Sequence, residues 1–381
     1  MLGRLRNSFA EINLNALEQN YLALAQLLGT NGPRSMAPMV KANGYGHGDI
    51  QVARICEKLG ARALGVALIE EGIKLRLAGI QTPILTFCHF DSIGAEAIVK
   101  YRLTPVLSQF EQIQKLKSVL HENAGYPIHA KFNTGMNRLG FEPDAAIKIA
   151  TEFESESYLK LEGLCTHFAS SEDYVNPKGM TLQQIKIFTN ICAAIKDKVK
   201  SQVLFHYLNS AAILSGVKPF LDLARPGISL YGALPQLQTK SPLELLPVMS
   251  VKSFVGFIQK IKKGAKVSYG GTWEAEKDSV IAIVPIGYGD GIPRLLSNKG
   301  RVLIRGEFCP ITGIVTMDYI MVDVTALCDQ NRGPVLSDEV VLIGKQKENR
   351  IYAEELAELV GSIPYEIFTG IQGRLARVFI H

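Results

Sequence analysis

Between residues 36 and 232 the chain alternates short apolar, β-branched runs with longer stretches whose apolar residues recur every three or four positions. No other feature narrows the available folds as much. Eight runs can be counted: MAPMVKA from Met36, ALGVA from Ala63, PILTF from Pro83, TPVLS from Thr104, IHAKF from Ile128, LEGLCTHF from Leu161, VLFHYLN from Val203, and the stretch from Leu223 to Tyr231. Repeated βα units make a parallel sheet covered by helices, and eight is the number that closes such a sheet on itself. Stretches such as IQVARICEKLG, FEQIQKLKSVL and MTLQQIKIFTNICAAIKDKV supply the outer ring.

After about Lys240 the rhythm changes to long β-rich segments, VMSVKSFVGFIQKI, SVIAIVPIGYGD, GRVLIRGEFCPITGIVTMDYIMVDV and EVVLIG, separated by Gly, Lys and Asp turns. One helix, IYAEELAELVG, follows, with Tyr352, Leu356, Leu359 and Val360 along one stripe. The fold class is therefore α/β, a TIM-type (β/α)8 barrel over residues 1–240 followed by a mostly β domain over 241–381. The 381 residues exceed what one core of about 250 usually absorbs, which agrees with two units.

Composition removes several classes of function. Apolar residues are 47% and charged residues 20% of the chain, the profile of a globular protein. A net charge of +5 with scattered Lys and Arg marks no nucleic-acid surface. The six cysteines stand far apart without a C-x-x-C pair, so they read as single thiols in a reducing compartment and not as a metal site. The opening MLGRLRNSFAEINLNALEQN has no apolar leader core, and no run of about 18 apolar residues occurs, so a cytoplasmic protein without membrane contact is expected.

In such a barrel the reactive groups gather at the C-terminal strand ends. The first run ends in VKANGYGHG, which places Lys41 at that mouth, followed by a flexible loop containing Gly44, Gly46 and Gly48. An isolated lysine is most often a snorkelling surface side chain. The strand-end position, the glycine-rich exit and the neighbouring Tyr45 argue for a reactive amine instead.

VKANGYGHG closely resembles the cofactor-lysine motif of the bacterial alanine racemase family. KFNTGMNRLGF, LCTHFASS, LNSAA, RPGISLYG, VSYGGTW, VPIGYGDG, PITGIVTMD and IPYEIF follow in the order that family shows, so the resemblance spans essentially the whole chain. It implies pyridoxal-phosphate-dependent interconversion of L- and D-alanine, which supplies D-alanine for peptidoglycan. It also implies a head-to-tail homodimer with shared active sites.

Under this resemblance Lys41 holds the cofactor, and the chemistry asks the same: a carbonyl cofactor needs an amine, and a partly desolvated lysine is neutral enough to attack. Ser210 in LNSAA, with Gly227 and Ile228 in RPGISLYG, matches the phosphate contacts, as do Tyr45 and Tyr365. On its own Ser210 reads as a helix N-cap and the two tyrosines as core residues. Arg225 matches the arginine facing the pyridine nitrogen; a guanidinium only donates, so that nitrogen stays unprotonated and the electron sink is weakened. Taken alone, Arg225 would be a rim salt bridge.

Racemisation needs an acid or base on each face of the α carbon. Lys41 supplies one, and Tyr269 in VSYGGTW matches the other, implied to come from the second subunit. A phenol is a poor base at neutral pH, and His167 matches the histidine that contacts this tyrosine and links it to Arg225. Arg138 and the backbone at Met317 match the substrate-carboxylate contacts. Lys131 matches a lysine that is carbamylated in many relatives and steadies Arg138, and Tyr288 matches a tyrosine narrowing the access channel.

Some positions depart from the commoner family pattern. Asn133 stands where Asp is usual and Asn137 where Gly is usual; Ile314 and Thr316 replace an Arg and a Cys; the tail GIQGRLARVF is looser. Channel shape and substrate breadth are therefore open, and a broader-specificity amino-acid racemase is the alternative. A pyridoxal-phosphate barrel decarboxylase has no reason for VSYGG, and a cofactor-homeostasis protein would lack the second domain.

Overall fold

The computed structural model describes residues 6–29, 32–155, 157–196, 198–199, 202–217, 222–237, 239–330, 332–371 and 373–381. Residues 1–5, part of the opening on which the absence of a leader was read, lie outside these. The chain opens with β1 (Phe9–Asn13) and α1 (Leu14–Leu28). The short helical turn α2 (Lys41–Tyr45) leads into α3 (Asp49–Lys58). Strands and helices then alternate: β2 (Leu64–Val66), α4 (Ile69–Leu77), β3 (Ile84–Thr86), α5 (Ser92–Lys100), β4 (Thr104–Leu107) and α6 (Phe110–Lys117). They continue through β5 (Tyr126–Lys131), α7 (Ala146–Ser155), β6 (Leu159–Cys165), α8 (Met180–Lys196), β7 (Leu204–Leu208), α9 (Ser210–Leu214) and β8 (Leu223–Ala224).

Strands β2 to β8 pair in parallel in chain order. The first run, expected as a strand from Met36, is not a regular one, because Pro38 has no N–H to give the ladder. It still closes the ring. The Ala37 and Met39 amides donate to Ala224 and Pro226, and Val40 donates to Gly65, whose own amide donates to Pro38. Eight extended segments thus complete the barrel. Ala37, Ala63, Leu85, Val106 and Cys165 form a small apolar core within it.

The second half contains β9 (Met249–Phe254), β10 (Phe257–Ile261), β11 (Lys266–Val267), β12 (Trp273–Glu274), β13 (Ser279–Val284), β14 (Arg301–Ile304), β15 (Glu307–Pro310) and β16 (Ile320–Asp323). After α10 (Thr325–Asp329) come β17 (Glu339–Gln346), β18 (Asn349–Ile351), α11 (Ala353–Val360), α12 (Pro364–Gly370) and β19 (Ala376–Ile380). The largest sheet runs β15-β14-β17-β9-β1-β19, with β18 beside β17; β10, β13 and β16 form another. Although β1 precedes the barrel, it sits between β9, antiparallel, and β19, parallel, so residues 9–13 belong to the second domain's sheet.

The stripe expected on α11 is displaced. Ala353, Leu356 and Ala357 face inward while Tyr352 is exposed, and Glu354 is buried because its carboxylate accepts from the Leu234 amide of the barrel at 2.7 Å.

Candidate active site

Lys41 stands at the barrel mouth, but the segment after it is not the flexible loop its glycines suggested. Ala42 (φ 51°), Asn43 (55°), Gly44 (60°) and Tyr45 (52°) wind a left-handed turn. A side chain in that region costs about 1–2 kcal/mol per residue, so tertiary bonds must hold the turn. Two side chains missed in the sequence do so. Glu71, in the first turn of α4, accepts from the Ala42 amide at 2.6 Å and from the Ala67 and Leu68 amides at 2.8 and 3.1 Å. Arg377 of β19 donates to the Gly46 carbonyl at 3.0 Å. The visible signal for Glu71 was an acid in the first turn of a helix; for Arg377 there was none. Glu71→Gln keeps the size but removes the charge and one acceptor oxygen. It is expected to cost about 1.5–3 kcal/mol of turn stability, read as a roughly ten- to hundredfold weaker hold on pyridoxal phosphate in equilibrium dialysis.

Lys41 is half-buried, and burial together with the Arg138 charge pulls its pKa below the ordinary lysine value, while Glu71 opposes the shift. Both of these charged groups belong to the barrel. Lys131, buried at the end of β5, is lowered by burial in the same way, with Cys165 opposing and Arg138, Arg225 and Lys41 adding to the shift. Two amines are therefore biased toward neutrality at one mouth.

Beside them lies a corner of hydroxyls. Asn209, not Ser210, caps α9, accepting from the Ala212 amide at 2.9 Å. That leaves the Ser210 hydroxyl oxygen to accept from the Gly227 amide at 2.9 Å, the Ser229 amide at 3.2 Å and the Ser229 hydroxyl at 2.9 Å. The Tyr45 hydroxyl reaches the same place: a Cβ on Gly227 would lie 2.5 Å from it. Tyr45 stacks on Tyr231 at 5.0 Å and meets Tyr365, from α12, at 6.0 Å. Hydroxyls and the first amides of the turn at Ile228 converge without a carboxylate among these partners, a donor set suited to a phosphate. Pyridoxal phosphate therefore fits the residues present. Gly227→Ala should displace the Tyr45 hydroxyl and weaken binding of pyridoxal phosphate by tenfold or more, on the order of one lost charge-assisted hydrogen bond. Unphosphorylated pyridoxal, titrated in parallel, should be little affected.

Arg225 is buried and, among the described residues, has no acid partner. It donates to His206 Nδ1 and the His206 carbonyl, both at 2.7 Å, and to the Thr166 carbonyl at 2.7 Å. Its reach to His167 Nδ1 is longer, 3.5 Å. The expected ordinary role as a rim salt bridge does not hold, because its acceptors are carbonyls and histidines. His167 is driven well below the usual histidine pKa by burial first and then by Arg225, Lys131, Arg138 and Lys41. The buried Gln184 of α8 holds its carbonyl at 3.0 Å.

The loop carrying Arg138 explains two departures. Asn133 Oδ1 accepts from the amides of Gly135 at 3.2 Å and Asn137 at 3.0 Å, and its amide donates to Asn137 Oδ1 and Glu142. Asn137 has φ 56°, where glycine is easiest and asparagine is the side chain that best tolerates the strain. Thr316 likewise cinches a turn: its hydroxyl donates to the Tyr319 carbonyl and accepts from the Tyr319 amide, presenting Met317 between them.

Tyr269, Tyr288 and Met317 are not gathered at the mouth with Lys41. They are exposed on the second domain, Tyr269 most of all at 73%. Hydrogen bonds join their three segments: Ser268 Oγ donates to Ile314, the Tyr288 amide to Thr316 and the Gly289 amide to Met317.

A half-buried amine beside an anion corner, inside a closed βα barrel that carries a β domain, is the working part of a lysine-dependent barrel enzyme. The family description for the alanine racemase N-terminal domain matches residues 12–235, and that for the C-terminal domain matches 248–379. The alanine racemase of Halothermothrix orenii is 38% identical over 98% of this chain and 97% of its own length. The crystal structure of alanine racemase from E. faecalis superposes with a TM-score of 0.91 at 28% identity, covering 100% of both chains. That from Bartonella henselae, which carries covalently bound pyridoxal phosphate, gives 0.86 at 30% identity over 98% of this chain and 99% of its own. The chain belongs to the alanine racemase family. Among its described residues no cluster of three metal-ligating side chains occurs, and no helix is long and apolar enough to cross a membrane.

Proposed function

We propose that this protein interconverts L- and D-alanine with pyridoxal phosphate held on Lys41, in a head-to-tail dimer whose two sites each take Tyr269 from the other subunit. The observation that carries the reading is the pairing of an amine biased toward neutrality, Lys41, with a corner of hydroxyls and backbone amides at Tyr45, Ser210, Gly227, Ile228 and Tyr365. Pyridoxal phosphate, when bound, supplies a carbonyl for the amine and an electron sink that makes the α proton of an amino acid removable.

Lys41 Nζ takes or returns that proton on one face, and the Tyr269 hydroxyl acts on the other. Support for the shared site lies in the exposure of Tyr269, Tyr288 and Met317 on the second domain, while the charges that shift Lys41, Arg138 and Glu71, belong to the barrel. His167, whose Nδ1 faces Arg225, carries its proton on Nε2 and offers Tyr269 a donor that stabilises the deprotonated phenol, held by Gln184 and Arg225. Arg225 would stand toward the ring nitrogen of bound pyridoxal phosphate as a donor that cannot give up its charge, a partner that would restrain electron withdrawal and favour return of the proton to the α carbon. Arg138 and the Met317 backbone take the substrate carboxylate, with Lys131 steadying Arg138, and Tyr288 narrows the channel.

The test incubates the enzyme with L-alanine and follows both D-alanine and carbon dioxide. D-alanine without carbon dioxide supports the reading; carbon dioxide release would instead make it a decarboxylase. A panel of other L-amino acids measures the breadth left open by Asn133, Asn137, Ile314 and Thr316.

A further inference from the structure

The partner that answers Arg225 is itself the start of a longer chain. A guanidinium has donors only, so the His206 Nδ1 atom that Arg225 meets at 2.7 Å accepts and carries no proton. The neutral His206 ring then bears its proton on Nε2. That nitrogen lies 2.7 Å from Nδ1 of His129, so His206 donates, His129 accepts, and the His129 proton sits on its own Nε2. Polarity runs one way from end to end, from Arg225 to His206 to His129. An imidazolium at either ring would set donor against donor and break the chain.

These side chains are not incidental polar groups at a surface. Arg225, His206 and His129 are 4%, 0% and 4% exposed, just after β8, on β7 and on β5 respectively, inside the same barrel that packs Ala37, Leu85 and Val106. Room has been left for them. Gly163 of β6 lies opposite His129 in register, and a Cβ there would stand 2.3 Å from His129 Nδ1, so this glycine is required for space. The far end of the chain opens on a cavity of about 320 Å³ at the other mouth, where His129 lies among Ala63, Pro83, Leu204 and Leu223. Burial and the Arg225 charge push His129 down to about 3 and His206 well below the ordinary histidine value, so both stay neutral. The charged and titratable groups around the chain are Arg225 with Lys131, Cys165 and the neutral His167 at the mouth, and Arg34, Arg62 and Glu162 around the cavity.

We propose that His206 and His129 are positioning residues for racemisation: a tautomer-locked pair that fixes Arg225 in place while leaving its charge uncompensated. The proposal rests on the reading of Arg225 as the group facing the cofactor nitrogen. A carboxylate at His206 would hold Arg225 equally well and cancel its charge. Water would leave the charge but not the position. Two neutral rings with their proton order set by Arg225 do both.

The first measurement uses the protein without cofactor and needs no activity. Nitrogen-15 NMR of the histidine rings should show His129 and His206 as Nε2–H tautomers that do not titrate between about pH 5 and 9, where an ordinary histidine would. An Nδ1–H tautomer on either ring, or a midpoint near 6.5, overturns the proposal. The second measurement compares variants of the loaded enzyme. His206→Leu should slow turnover about 10- to 100-fold, the range found for residues that orient a reactive group through a hydrogen bond, and should hasten loss of cofactor absorbance during turnover. His206→Gln, which can both accept from Arg225 and donate to His129, should recover most of that loss. Gly163→Ala should disturb the His129 resonance and shift the same absorbance decay. If Leu and Gln at 206 both match the parent in rate and in absorbance decay, the positioning role falls. If the parent does not racemise alanine at all, the functional reading fails while the NMR result still decides the tautomer lock.

Discussion

Lys41→Ala should abolish the absorbance of lysine-bound pyridoxal phosphate and lower conversion of L- to D-alanine at least about a thousandfold, as expected when a nucleophile and base are lost together. The argument is spatial. Lys41 begins the left-handed turn that Glu71 and Arg377 hold beside the hydroxyl corner, and its pKa is already drawn down by burial and Arg138. Lys131 is the rival amine, because it is buried at the same mouth and also biased toward neutrality. Borohydride reduction of the parent enzyme followed by peptide mapping separates the two. Label on Lys41 in the parent and none in the variant is the expected result; label on Lys131 in both would reassign the cofactor.

Tyr269→Phe should be nearly as damaging to racemisation but should leave the cofactor seated, since Tyr269 lies outside the anion corner. Both directions must slow together, because equilibrium between enantiomers is fixed by symmetry. Exchange of the α proton with solvent deuterium should split them: Lys41 still serves one face, so D-alanine exchange should outlast L-alanine exchange. Mixing inactive Lys41→Ala chains with inactive Tyr269→Ala chains tests the shared site. In a mixed dimer one site regains both residues and activity returns in part. No recovery in proven mixed dimers would place Tyr269 in the site of its own chain or outside the chemistry.

The parts of this architecture that were legible from sequence are those where local pattern and tertiary role agree. Seven barrel strands follow from β-branched runs, and Lys41 from its place at a strand end. Where one proline intervenes, at Pro38, the pattern suggested a strand and the chain makes only an extended, doubly bonded segment. The glycines after Lys41 suggested mobility, whereas their φ values serve a fixed left-handed turn. Ser210 looked like a cap because a helix does begin there, yet Asn209 one residue earlier takes that role. Residues that act by reaching across the chain carried no local mark. Glu71 reads as an ordinary acid near a helix start, Arg377 as part of a loose tail, and His206 and His129 as strand histidines.

The placement of β1 has a consequence for how the protein is made. Residues 9–13 leave the ribosome before the barrel, but their two neighbours, β9 and β19, appear only after it. The barrel can close on the emerging chain while its leading strand waits unpaired, an edge with alternating buried positions and no partner. Folding of the second domain therefore waits on β9 and β19 to join β1, and it contributes long-range contacts of the kind that slow folding. The same pairing sets Phe9 beside Ala376 in a single sheet, and a domain excised after residue 240 leaves behind an interior strand of that sheet.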